Sequence, residues 1–370
     1  MASPAIVDFA KVTTPIAGTN PCGVNLRTDP GRAAFYDAVK DGRTKARGEE
    51  KKLYDGAPDA SPGDWKAVLN PAVKTLSEKS KDLEITAYLI EAATRTYGFA
   101  GLRDGFRLAR ELVEKFWDNL FPMPDEEGIE TRLFALIGLN GDDAEGTLIA
   151  PINRIPVTEY KGEAPFATYH YQEAQKTGKI TDPKIKEKKL ASGAVTMDKI
   201  AAAVSDSSNG FYKNLVEDLT GALDELGKLG TALDGKCGGK APAWGQVRGA
   251  LTTCLDAIKD VARAKLEVAV PKEEGKPGEA GAGPGDGEKK SGDQLQSRDD
   301  AFTLLLKVAD FFRRTEPHSF VSYAVEQAVR WGRMPLPELL AELIAEEPSR
   351  KALYKQVGIR PPDPTAGAKK

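Results

Sequence analysis

FYKNLVEDLTGALDELGKLGTALDGKCGGKAPAWGQVRGALTTCLDAIKDVA, residues 211–262, decides the fold class. Phe211, Leu215, Leu219, Ala222, Leu226, Leu229 and Leu233 recur at steps of 4, 4, 3, 4, 3 and 4. Trp244, Val247, Leu251, Leu255, Ile258 and Ala262 recur at steps of 3, 4, 4, 3 and 4. Such steps line apolar side chains along one face of a helix. Between the two stripes, GKCGGKAP at 235–242 supplies glycines that stop one helix and a proline suited to starting the next. The stretch therefore predicts two long helices paired as an αα-hairpin, each with a stripe wide enough to need a partner helix.

The same period runs upstream. Trp65, Val68, Leu69 and Val73 open a helix near Asp64. Leu83, Ala87, Ile90 and Ala93 continue it in a second, and Leu102, Phe106, Ala109, Val113, Phe116 and Leu120 make the clearest stripe of all. GFAGLRDG at 98–105 stands between two such stripes and reads as a tight helix–helix connection rather than an anion-binding loop. FPMP at 121–124 stops the third helix, and a fourth is expected over about 130–139. A first helix is expected near Arg32, carrying Phe35, Tyr36 and Val39. Residues 41–63 are charged and rich in Gly and Pro, which predicts a loop or a frayed helix. Residues 145–195 have no firm period and are read as a short strand or an extended connector, with the lysine run at 184–189 a solvated face.

Downstream, residues 271–296 hold seven glycines, three prolines and one large aliphatic residue, Leu295, a composition that predicts a flexible linker. A Gly-rich coil of that length spans roughly 25–30 Å. Ser297 can cap the helix that follows, with stripe residues Leu304, Leu305, Val308, Phe311 and Phe312. TEPHS at 315–319 makes a turn, and Val321, Ala324, Val325, Ala328 and Trp331 mark a second helix. Pro337 suits the first turn of a third, with Leu339, Leu340, Leu343 and Ile344 along it. The fold class is mainly α. The expected domains are 1–144, 145–270 with the long αα-hairpin, a linker at 271–296, 297–360, and a disordered tail at 361–370.

Composition narrows the function. The chain has 370 residues, 52 basic and 55 acidic, for a net charge of −3, without the basic footprint of a nucleic-acid binder. Its three cysteines, Cys22, Cys237 and Cys254, make a poor disulfide framework and fit a reducing, cytoplasmic setting. No secretory leader pattern opens the sequence, and no apolar run is long enough to insert in a membrane. No phosphate loop, dinucleotide fingerprint, HExxH, CxxC or GxSxG motif occurs. Cys237 and Cys254 read as structural thiols. The histidines are His170 and His318. His318 stands beside Glu316 and Ser319, but neighbours on a tight turn seldom attain attack geometry, so a turn and cap role is favoured over catalysis. Arg313 and Arg314 either meet an acidic partner or favour the helix C-terminus through its dipole. No enzyme, cofactor or metal site is expected.

Several of these segments also carry a family resemblance. ProIle at 15–16, NPCGVNLR at 20–27, Trp65, SKDLE at 80–84, GFAGLRDG at 98–105, FWDNLFP at 116–122 and Arg132 together resemble the ImpA-type N-terminal domain. SRDDA at 297–301, DFFRRTEPHS at 310–319 and AVRWGRMPLPELLAELI at 328–344 resemble the C-terminal region of TssA proteins of the bacterial type VI secretion system, with Phe320 where that family often has proline. The resemblance implies a non-enzymatic, cytoplasmic assembly factor. Its C-terminal domain would form a homo-oligomeric ring, and its partners would be baseplate, tail-tube, sheath and membrane-complex components. The residues then expected to carry assembly are Phe311, Phe312, Arg313, Arg314, Glu316, His318, Trp331, Arg333, Leu339, Leu340 and Leu343. A plain helical adaptor of another complex is the alternative. Size agrees with a ring at that end, because a domain of about 60 residues is marginal by itself and gains from association.

Overall fold

The computed structural model describes residues 2–57, 60–126, 128–162, 164–267, 298–315, 320–344, 346–348 and 350. The expected linker, the turn bearing Glu316 and His318, the Ser297 cap and the tail lie outside the described residues. Among those described there are fifteen α-helices and no β-strand, so the chain is mainly α. It divides into two units at residues 275 and 276.

The first unit begins with α1 (Phe9–Val12), α2 (Ala38–Tyr54), α3 (Lys66–Glu78), α4 (Leu83–Phe116) and α5 (Glu130–Asn140). It continues with α6 (Ile149–Arg154), α7 (Thr168–Gly178), α8 (Pro183–Ala191) and α9 (Met197–Asp206). It closes with α10 (Asn209–Cys237), α11 (Gly245–Val261) and α12 (Arg263–Glu267). The helical run α4 is folded in two at Gly98, whose φ of 60° and ψ of −134° suit glycine alone. Its limbs lie side by side. A Cβ on Gly101 would stand 2.0 Å from the Ala93 carbonyl oxygen, and one on Gly105 2.8 Å from Ile90 Cγ1. The tight helix–helix connection read from GFAGLRDG is this fold-back.

The long hairpin of α10 and α11 is also present, and α10 packs along α4 while α11 meets α5, α6 and α7. Leu219, Ala222, Leu226, Leu229 and Leu233 of α10 are buried in the same core as Leu102, Phe106 and Val113 of α4. At the junction Asn140, the last residue of α5, accepts the Val247 N–H at 3.0 Å in the first turn of α11. The boundary expected at residues 144 and 145 thus falls inside one compact unit.

Two expectations need correction. Residues 41–54, expected as a loop or frayed helix, belong to α2. Besides the buried Val39 and Ala46, it is held to α4 by charge pairs. Arg43 and Arg47 both pair with Glu91, at 2.8 and 2.9 Å, and Glu50 pairs with Arg95 at 2.8 Å. Residues 145–195, expected as a strand or extended connector, hold the short helices α6, α7 and α8. Pro151 sits inside α6, and α8 begins at Pro183 behind the Asp182 cap, so prolines that look like breakers here mark helix starts. Of the α8 lysines, Lys184 and Lys188 are exposed, while Lys186 and Lys189 are half-buried.

The second unit shows α13 (Arg298–Thr315), α14 (Val321–Arg333) and α15 (Leu336–Leu343). α13 packs on α14. Ala309 and Val329 are its buried apolar side chains among the described residues.

Candidate functional site

In the second unit, Phe302 anchors the contact of α13 with α14. Arg298 and Arg333 stand over its ring, at 5.3 and 5.6 Å, and Gly332 lies so close that a Cβ there would come 2.5 Å from Phe302 Cζ. Glu342 of α15 collects the Trp331 indole N–H at 2.9 Å, the Gln327 amide at 2.9 Å and the Arg330 guanidinium. These donors hold the Glu342 carboxyl below its ordinary range. Arg313 pairs with Glu326, and Arg314 with Asp310 at 3.2 Å on its own helix. Both arginines are therefore used within the unit, next to the C-terminal turn of α13.

The residues expected to carry assembly divide by environment. Phe311 is 55% exposed and meets Phe312 edge-to-face at 5.8 Å. Leu343 is exposed, while Phe312, Trp331, Leu339 and Leu340 are half-buried. Glu316 and His318 lie outside the described residues. Leu305, Leu306, Val308, Tyr323 and Leu336 are exposed as well, and Phe320 is 87% exposed. Three helices thus present far more large apolar side chains to solvent than they bury.

In the first unit, blocks far apart in sequence converge on one knot. The Lys81 N–H donates to the Cys22 carbonyl at 2.8 Å, and the Phe121 N–H to the Lys81 carbonyl at 3.0 Å. The Leu83 N–H returns to the Phe121 carbonyl at 2.7 Å. Asp82 caps α4 by accepting from the N–H groups of Glu84 and Ile85, and it also accepts from Arg27 at 2.7 Å. Arg132, buried, donates to the Pro122 carbonyl at 2.9 Å and the Trp117 carbonyl at 2.8 Å, with its guanidinium 4.8 Å from the Trp117 ring. Segments 20–27, 80–84, 116–122 and Arg132 are thereby tied to one another.

Lys81 is the residue of this knot that sequence reasoning gave no role. Its buried ammonium donates to the Val12 carbonyl at 2.5 Å and the Leu76 carbonyl at 2.6 Å, closing the ends of α1 and α3. Burial pushes its pKa down to about 8, and burial pushes the neighbouring Cys22 thiol up to about 11. A protonated thiol and a lysine spent on carbonyls serve structure rather than nucleophilic chemistry. Cys254 is likewise raised to about 11 by burial, and its Sγ donates to the Ile152 carbonyl at 3.7 Å. Cys237 is the last residue of α10 and buried. Among the described residues, no group of three or more His, Cys, Asp or Glu is placed to hold a metal ion, and no helix is long and apolar enough to cross a membrane.

Residues 13–141, which contain the knot, match the family described as ImpA, N-terminal, type VI secretion system. The type VI secretion system component TssA1 of Pseudomonas aeruginosa is 28% identical over 165 residues. That match covers 43% of this chain and 44% of the relative, so less than half of the relative's length is spanned. A solved structure from Burkholderia cenocepacia, the N-terminal domain including the conserved ImpA_N region of the TssA component, is similar with a TM-score of 0.59 and 26% identity. That likeness covers 71% of this chain and 96% of the solved domain, a larger share than residues 13–141 make up. The three likenesses agree: the first unit is similar to the ImpA-type N-terminal domain of TssA components of type VI secretion systems.

Proposed function

We propose that this chain is a non-enzymatic, cytoplasmic assembly component of a type VI secretion machine. It self-associates into a ring through residues 297–360 and carries its N-terminal units to baseplate, tail-tube, sheath and membrane-complex partners. One observation carries the self-association: the large apolar side chains that α13, α14 and α15 leave exposed. Exposed apolar clusters of this kind mark association surfaces, and a small helical unit gains the burial it lacks from its copies. Tethering several N-terminal units to one ring would raise their effective concentration at neighbouring sites on the machine without new contacts.

The test is light scattering on the full chain. The wild type is expected to elute as a multimer at micromolar concentration. Phe311→Glu and Leu343→Glu place charges on exposed positions and are expected to lower the mass towards one chain while helicity by circular dichroism stays unchanged. A monomeric wild type overturns the ring. Multimers that both variants leave intact place self-association elsewhere.

A further inference from the structure

We propose that the cleft beside the fold-back at Gly98 binds a peptide segment of a partner protein that carries a carboxylate next to an aromatic side chain, with Arg154 as the group that reads the carboxylate. The cleft belongs to the first unit and has a volume of about 1100 Å³. Its walls come from the end of α2, the Gly98 corner of α4, α6 and the first turns of α10. That volume is at the top of the range for small-molecule sites, roughly 300–1000 Å³, and suits a stretch of chain better than a lone metabolite.

The cleft is short of acceptors. Its carboxylates already have partners: Glu50 has Arg95 at 2.8 Å, Asp218 has Arg103 at 2.5 Å, and Glu159 accepts the Ser208 N–H at 2.7 Å and pairs with Lys161 at 3.3 Å. Asp64 accepts the Ala67 N–H at 3.1 Å. Arg154 is different. Its guanidinium lies 3.8 Å from the Tyr54 ring centroid and 5.4 Å from that of Tyr169, and no carboxylate among the described residues pairs with it. Aromatic faces fix a guanidinium in place while leaving its edge, a fork of N–H donors, open to a planar anion. A second donor lining the cleft lacks an acceptor: Trp65 is only 5% exposed, and its indole Nε1 has no hydrogen-bond partner. The exposed Lys66 adds a further positive charge at the rim.

The aromatic half of the partner follows from the remaining walls. Tyr97 is 46% exposed, and Phe211 is half-buried and also lines the cleft. An aromatic side chain laid against them removes apolar surface from water in an arrangement such rings favour. The open fork of Arg154 and the aromatic walls together select an acidic, aromatic segment. The inference rests on the first unit alone and stands or falls apart from the ring.

The experiment pans a random twelve-residue display library on the full chain, then measures the recovered peptides by fluorescence anisotropy. The expected peptides place Asp or Glu beside Phe, Tyr or Trp. Arg154→Gln is expected to weaken their binding about tenfold or more, with Arg154→Lys restoring only part, since lysine lacks the fork. Peptides with the acid changed to its amide should lose a similar factor. Tyr97→Ala, at an exposed position, should weaken binding and serves as the second variant if Arg154→Gln melts earlier. No recovered peptide, peptides without an acid, or equal binding to the Arg154 and Tyr97 variants would each overturn the proposal. A change in oligomer mass on Arg154→Gln would overturn it too, because the cleft would then be a contact between copies.

Discussion

Glu91 is a buried charge held by several donors at once. It is 1% exposed and accepts from Arg43, Arg47 and the Thr147 hydroxyl, the last at 2.8 Å. Burial alone would raise its pKa, but hydrogen bonds and charge from Arg43, then Arg47 and Arg95, hold it below the ordinary 4.5. A carboxyl with a depressed folded value stabilises fully above its unfolded value, and the contribution is lost as pH falls through the folded one. Glu91→Gln keeps the shape but leaves two guanidinium groups facing a neutral amide. Breaking a buried pair in this way typically costs about 3–5 kcal/mol. We expect a loss near the lower end, since Arg47 reaches water. The urea midpoint at pH 7 should fall, and the variant should lose less stability than the wild type between pH 4.5 and more acid conditions. An unchanged midpoint at pH 7 would show that the cluster adds nothing net.

At the scale of the elements, the two glycines that matter have opposite roles. Gly48 lies inside α2 with open space around the position of a Cβ. Gly48→Ala is expected to stabilise by about 0.5–1 kcal/mol by restricting the unfolded chain and favouring helix. Gly98 forms the corner of α4 at φ 60°, where a Cβ would also stand 3.0 Å from Ile155 Cγ2. Gly98→Ala should therefore destabilise by about 1–3 kcal/mol. Thermal melts of the two variants should move in opposite directions, and the same sign for both would refute the assignment of the corner.

The elements also explain which parts were legible in the sequence. The αα-hairpin and the limbs of α4 repeat apolar residues at helical steps; burial follows those steps in α10 and α11, while the first limb of α4 is buried nearly all round. α2 repeats too, but in charge: Arg43, Arg47, Glu50 and Tyr54 step by 4, 3 and 4 against Glu84, Tyr88, Glu91 and Arg95 with the same steps on α4. A reading of apolar period alone passes over it. Between 145 and 195 the helices are six, eleven and nine residues long, too short to show a period. The C-terminal stripe was visible as apolar sequence, but its exposure was not. The cleft around Arg154 was out of reach, because its walls come from segments as distant as Ser3 and Asp218.

For the whole first unit, the fastening of one end to the other decides what can fold separately. Asp218 accepts the Ser3 N–H at 2.9 Å, the Ser3 hydroxyl at 2.5 Å and Arg103 at 2.5 Å. Asp104, also buried, accepts the Ile6 N–H at 2.7 Å. With α10 covering α4, a fragment of residues 1–144 would bare the apolar face of α4 that the hairpin covers. We expect that fragment to aggregate or to melt without a sharp transition, and residues 1–267 to melt cooperatively. A well-behaved, cooperative 1–144 fragment would restore the boundary near 144 as a true domain edge.

The bond between residues 3 and 218 also has a consequence in time. Ser3 leaves the ribosome well before its acceptor, which follows 215 positions later. At about 5–20 residues per second, that interval is roughly 10–40 s. For roughly the second half of it both α4 limbs are outside the exit tunnel, with the surface that α10 will cover open to solvent. The unit therefore completes its fold only after most of it has been made, and the nascent chain is a natural client for chaperones that shield apolar helices during synthesis.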